Sequence, residues 1–267
     1  MNVMTDHPGW LHTEAGNRYR AVSVGDSAVL ISTGCGAGGD TVIDVGGADL
    51  HVDIVDPDAL AGPGDLVTPL KDAGTVARMA NPSLWDALAT AIMRQVIQAG
   101  HARTRYVRFC AAYGESVTRN ASTAWLFPDP RRILSLSDDE FQIVGAAFPQ
   151  SALRAAARTY LAHGDRWERL PPVDLVTALQ TIPRVGAWTS RTAVADYTND
   201  FALYDYSDIA VQPAARRLNP ERAWPEGAPA FKSAWEAMAG KQLSAWTLLT
   251  LAWGIRYGKS DDRSAAS

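Results

Sequence analysis

The stretch Leu179-Gln180-Thr181-Ile182-Pro183-Arg184-Val185-Gly186-Ala187-Trp188-Thr189 decides how this chain is read. One apolar helical pattern stops at Leu179, another starts after Gly186, and a proline and a glycine stand between them. Pro183 fixes its own φ, and Gly186 offers a backbone without Cβ at the first turn of the next helix. This pattern predicts helices over 172–181 and 187–197 joined by a tight hairpin. N–H groups without intrahelical partners at the head of the second helix can bind a phosphate. Further on, in Tyr204-Asp205-Tyr206-Ser207-Asp208-Ile209-Ala210-Val211, Asp208 stands at a helix start, where the helix dipole favours its ionised form. An anion clamp and a fixed carboxylate suit an enzyme that cuts a bond in a nucleic acid.

Bulk properties narrow the setting. With 267 residues, 47% of them hydrophobic, the chain can build one large domain or two modest ones around a real core. Cys35 and Cys110 are its only cysteines and have no metal-ligand spacing, so a reducing, cytoplasmic location is expected. The N-terminus lacks a basic segment followed by an apolar run, and no window approaches the ~20 apolar residues of a membrane span, so no membrane partner is expected. Asn120-Ala121-Ser122 has the form of a glycosylation acceptor but carries no meaning without a secretion signal. A net charge of −4 argues against coating nucleic acid by charge alone, so any DNA binding must be local. Arg94, His101, Arg103, Arg105 and Arg108 cluster, as do Arg131 and Arg132, either as such a local patch or as solvated helix faces.

Away from the hairpin the periodicity changes once. Residues 17–55 alternate as strands do, in 19–24, 28–31, 41–45 and 50–55, with turn signals at Gly25-Asp26-Ser27, from Gly34 to Asp40 and at Gly46-Gly47. This predicts a small antiparallel meander. The glycine-rich run 33–39 reads as a hairpin connection rather than a phosphate loop, because no lysine follows and the next element is a strand. Ala61-Gly62-Pro63-Gly64-Asp65 reads as a linker, and from about residue 75 the pattern is helical. A helix starts at Asn81-Pro82-Ser83, with Leu84, Leu88, Ala91, Ile92, Val96 and Ala99 on one face. Others are expected at 101–113, 130–135, 137–145 from a Ser137–Glu140 capping box, 150–163, 208–218 and 228–257. The expected fold class is α+β: a small N-terminal antiparallel β domain (1–74), a mainly α-helical body (75–258) and a flexible tail (259–267).

The segment DLVTALQTIPRVGAWTSRTAVADYTNDFALYDYSDIAVQPAARRL resembles the helix-hairpin-helix (HhH-GPD) glycosylase superfamily, in particular bacterial 3-methyladenine DNA glycosylase II of the AlkA type. NPSLWDALATAIMRQVIQAGHARTRYVRFCAAYG is similar to the segment that precedes the hairpin there, a helix, a Gln-containing turn and a basic helix. FPDPRRILSLSDDEFQIVGAAFPQSALRAAARTYL resembles that family's linking helices, and the likeness covers roughly 75–257. A lone hairpin is a weak signal; the ordered series of segments is a strong one. The β domain matches by architecture only.

The resemblance implies a helix-hairpin-helix glycosylase body that flips a damaged base from duplex DNA and hydrolyses its N-glycosidic bond. It makes Asp208 the counterpart of the catalytic acid, stabilising an oxocarbenium-like transition state and positioning water. Read from residues alone, Asp208 is first a helix N-cap, a role that still leaves one oxygen free; Asp205 is the next candidate acid and Asp200 a turn residue. Bifunctional members carry a Schiff-base lysine two residues after the hairpin glycine, where this chain has Trp188, which implies a monofunctional enzyme that leaves an abasic site. Trp188 is either a platform for the extruded base or a core aromatic, and Tyr204, Tyr206 and Trp85 are pocket candidates or core residues. By the same resemblance Val96 is the wedge filling the hole in the DNA stack, or else a buried helix residue, and Gln95 touches the opposite base or the backbone. Phosphate falls to the amides of Gly186 and Trp188 with the Thr189 hydroxyl. Hairpin carbonyls hold a monovalent cation in the family; no other cofactor and no metal is implied, and no protein partner is indicated. Two positions depart from the family: Arg184 replaces a hairpin glycine and offers an extra phosphate contact, and Arg94 replaces a small residue before Gln95. Two other readings stay open, an N-glycosidic hydrolase of a free nucleoside or nucleotide, and a noncatalytic DNA-binding module.

Overall fold

A computed structural model describes residues 1–257 except 15, 36–40, 96–98 and 207–209. The strands are β1 Asn2–Val3, β2 Leu11–His12, β3 Arg18–Val24, β4 Ser27–Cys35, β5 Thr41–Asp44, β6 Val52–Val55, β7 Val76–Met79, β8 Ser116–Arg119 and β9 Ser122–Trp125. The first helices are α1 Gly64–Ala73, α2 Leu84–Met93, α3 Ala99–Tyr113, α4 Pro130–Ser135, α5 Asp138–Ile143 and α6 Gln150–Trp167. The remainder are α7 Pro172–Leu179, α8 Ala187–Thr198, α9 Val211–Leu218, α10 Ala228–Ala239 and α11 Leu243–Tyr257. Helices thus follow a mostly antiparallel β region, the α+β class that the sequence predicts. The chain forms two compact units, each built from separated segments. The hairpin unit comprises His7–His51 and Met79–Asn199; the terminal unit comprises Met1–Asp6, Val52–Arg78 and Asp200–Ser267.

In the hairpin unit β2, β3, β4 and β5 form an antiparallel meander, with Ala21 opposite Leu30 and Cys35 opposite Thr41. The glycine-rich run therefore connects two strands, as its sequence suggests, although residues 36–40 themselves lie outside the described set. A hairpin of β8 and β9 covers this sheet, burying Ala124 with Ala21 and Leu30. The sequence does not announce that hairpin, because its two-residue turn, Asn120 (φ 49°) and Ala121 (φ 63°), lacks the glycine that normally marks such a turn. Among the helices, α2 is buried along its whole length and packs against α8 and α6. Ser83 caps it by accepting from the Asp86 N–H, and it ends at Met93 with Arg94 as C-cap, while Ala99, expected on its apolar face, opens α3 instead. The Ser137–Glu140 capping box of α5 forms as expected.

The terminal unit corrects four expectations. β6 leaves the meander for a second sheet ordered β1-β7-β6, in which β1 runs parallel to β7. β7 was expected to be helical; it is a strand buried at all four positions, and such a strand shows no alternation for a sequence reading to detect. The supposed linker 61–65 is packed: the Ala61 N–H donates to Gln242, the Ala61 carbonyl accepts from the Trp246 indole, and α1 begins at Gly64. The long helix expected over 228–257 is two helices, α10 and α11, broken where Gly240 takes a φ of 49°. Trp235 and Trp246, both fully buried, meet edge to face between them.

Candidate functional site

Helix α7 buries Leu175, Val176 and Leu179, and the turn beyond it is anchored by two further buried side chains, Ile182 and Val185. With those anchors inside, Pro183, Arg184, Gly186 and Ala187 are left exposed. The turn closes through the Val185 N–H donating to the Ile182 carbonyl at 3.0 Å, and α8 starts with the Ser190 N–H donating to the Gly186 carbonyl at 3.0 Å. Arg184 takes a φ of 70°. The left-handed geometry of a glycine hairpin is thus kept by a residue with a Cβ, at a cost of roughly 1–2 kcal/mol. Gly186 has an ordinary φ of −88°, and a Cβ built on it meets nothing within 4 Å. Among the described residues nothing requires glycine there; what the missing side chain provides is close access to the N–H groups heading α8, which has no side-chain cap.

A second element reaches this turn. Gln95, just past the end of α2, donates its amide Nε2 to the Arg184 carbonyl at 3.1 Å and to the Thr189 hydroxyl at 2.8 Å. Thr189 is buried, so its hydroxyl meets a protein partner rather than facing outward. Trp188 is half-buried, and Arg94, the C-cap of α2, is half-buried beside Gln95. The Ile182 carbonyl accepts from Val185 and the Arg184 carbonyl from Gln95, and a carbonyl oxygen with two lone pairs can still serve a cation after one such bond. Among the described residues no group of His, Cys, Asp and Glu is arranged to hold a metal ion.

The other candidates have partners of their own. Trp85, in the hairpin unit, is buried, donates its indole N–H to the Pro128 carbonyl at 2.9 Å and packs against Tyr160 and Phe127. Tyr204 and Tyr206, in the terminal unit, are buried too: Tyr204 lies against Phe201, and the Tyr206 hydroxyl donates to Glu236. Asp200 accepts from the Ala202 N–H at 3.0 Å, as a turn residue does, and Asp205 is half-buried. Asp208 and Val96 lie outside the described residues.

One cluster in the hairpin unit was not foreseen. Asp86 is at the third position of α2, in a first turn where the helix dipole favours an acid and where acids commonly face solvent. Instead it is buried and accepts from Arg20 (2.5 Å), the Tyr106 hydroxyl (2.7 Å) and Asn81 (3.2 Å), with His7 Nε2 at 3.5 Å. His7 Nδ1 lies 3.0 Å from the Gly9 N–H, and its Nε2 faces Thr90 and Asp86. Asn81 also donates to Asp196 at 2.9 Å, tying α2 to α8. Burial opposes ionisation of Asp86, but His7, Arg20 and the Tyr106 hydroxyl overcome it and hold the carboxyl below the usual carboxylate range. Burial pushes the Tyr106 hydroxyl and the Cys110 thiol well above their ordinary values. No spacing rule predicts this cluster, because its members come from distant parts of the chain.

These elements in this order make a fold shared with solved DNA glycosylase structures. No protein-family model and no curated protein matches the chain. Among solved structures, an 8-oxoguanine glycosylase/lyase from Clostridium acetobutylicum, in complex with double-stranded DNA containing cytosine opposite 8-oxoguanine, superposes with a TM-score of 0.73 over 95% of this chain and 89% of its own, at 12% identity. The 3-methyladenine DNA glycosylase from Archaeoglobus fulgidus gives 0.71 over 94% and 91%, at 16% identity. A DNA-3-methyladenine glycosidase from Bacillus halodurans gives 0.52 over 73% and 87%, at 17% identity. Likeness at these identities fixes the fold and leaves the substrate to be argued from the site.

Proposed function

We propose that this protein is a monofunctional DNA glycosylase that flips an alkylated or otherwise damaged purine out of duplex DNA and hydrolyses its N-glycosidic bond. The hairpin carries the reading. Its glycine, unneeded by the free chain, opens the head of α8 to a phosphate, and an exposed arginine stands two residues before it. The three solved structures named above are glycosylases by their descriptions, and that from Clostridium acetobutylicum holds double-stranded DNA.

The mechanism needs few groups. As the glycosidic bond lengthens, positive charge grows on the sugar; a carboxylate near the anomeric carbon stabilises it and orients the attacking water. Asp208 is assigned that role on its place in the sequence pattern. Trp188, half-buried beside the hairpin, offers an indole face to an electron-poor alkylated purine. It also stands where a lyase carries its amine nucleophile, and an indole cannot form a Schiff base. In the same scheme the Ile182 and Arg184 carbonyls would hold a monovalent cation, and a cytoplasmic setting fits the two free cysteines.

The test is product analysis on a methylated duplex. Free base with an intact abasic strand, and no enzyme–DNA adduct on borohydride reduction, supports the proposal. A trapped adduct sinks the monofunctional assignment. Hydrolysis of free nucleosides alone, or duplex binding without base release, replaces it with one of the other two readings.

A further inference from the structure

We infer that Gln95 is a positioning residue: its amide latches the hairpin in place and thereby allows Arg184 to occupy a glycine conformation. This deepens the proposed function, because it gives a residue next to the candidate wedge a task inside the protein rather than on the DNA.

The argument rests on one peptide plane. The plane between Arg184 and Val185 turns with the ψ of Arg184, and it is gripped at both ends. Its oxygen accepts from Gln95 Nε2 at 3.1 Å, and its N–H donates to the Ile182 carbonyl at 3.0 Å. If Arg184 relaxed from φ 70° to the right-handed or extended region, the oxygen would swing away from Gln95 and the buried Thr189 hydroxyl would keep its partner only without the hairpin carbonyl. A glycine at 184 would need no such restraint; an arginine does. The carbonyl can only accept, so the amide nitrogen must face the hairpin, and both its hydrogens are used there. Gln95 therefore has no donor left for a base edge. The latch also ties the turn after α2, which carries Arg94, to the head of α8, so two surfaces assigned to DNA are held as one piece.

Hydrogen exchange at the Val185 and Ser190 amides of the full chain, without DNA, tests the latch independently of function. Gln95→Ala should speed exchange at both by about tenfold, as loss of a hydrogen-bonded restraint does. Thr189→Ser, which keeps the hydroxyl, should leave it near wild type. The decisive arm is Gln95→Ala in an Arg184→Gly background, where the acceleration should shrink to less than about threefold because glycine needs no latch. Unchanged exchange in Gln95→Ala, or an equal acceleration with glycine at 184, overturns the inference. A duplex carrying a tetrahydrofuran abasic analogue separates this from the functional reading. With the latch, Gln95→Ala weakens binding equally whichever base stands opposite; a loss that depends on that base means Gln95 contacts DNA directly and overturns it. Failure of the wild type to bind any duplex removes the glycosylase proposal and leaves the exchange result to judge the latch.

Discussion

At the scale of single residues, Arg184 and Trp188 give this chain its individual character. Arg184 is exposed and holds a strained backbone angle, so its side chain is presented at the tip of the hairpin. If it contacts a phosphate, Arg184→Ala should weaken duplex binding uniformly across sequences and lower the slope of log affinity against log salt by about 1. An unchanged salt slope would remove the contact. Trp188→Ala should cut base release while Trp188→Phe retains part of it, the pattern of a stacking platform; equal loss in both would point to packing instead. The sequence singles out both positions, because each stands at a fixed offset from Gly186. It hid the role of Gln95, whose two partners are decided by how α2 ends against the hairpin rather than by any local pattern.

Among the elements, α2 holds the hairpin unit together. It is buried throughout, and Asp86 joins it to β3 through Arg20, to α3 through Tyr106 and, by way of Asn81, to Asp196 on α8. Asp86→Asn would leave Arg20 buried without its counter-charge, and urea unfolding should show a loss of about 3–5 kcal/mol. A loss under about 1 kcal/mol would mean that the cluster is dispensable. Elements with a local signature were legible: the α7–α8 hairpin from its proline and glycine, α5 from its capping box, the meander from its alternation. β7 and the β8–β9 hairpin were not, the first because a fully buried strand does not alternate, the second because Ala121 stands where glycine would have marked the turn.

For the whole molecule, chain order and spatial order part company. Both units are assembled from segments far apart in sequence, a fact that no reading along the chain reveals. The net charge of −4 means that binding to a polyanion must be built locally and should weaken steeply with salt. Acid should unfold the protein through Asp86. Its carboxyl titrates lower in the folded chain than in the unfolded one, so between the two values only the unfolded state takes up the proton. The stabilisation is complete above the ordinary carboxylate value near 4 and is lost as pH falls through the lower, folded value. Thermal melting across that range should show a falling midpoint for wild type and a flatter profile for Asp86→Asn; parallel profiles would assign acid unfolding to other groups.

The central claim is that this chain breaks an N-glycosidic bond in duplex DNA with Asp208 as its carboxylate. Single-turnover release of free base from a methylated duplex, compared for wild type and Asp208→Asn, tests it most directly, with binding to a tetrahydrofuran duplex measured alongside. The account predicts release by wild type, a fall of at least about a hundredfold in the variant, and binding retained in both. Equal release by the two proteins, or none by either, would contradict it.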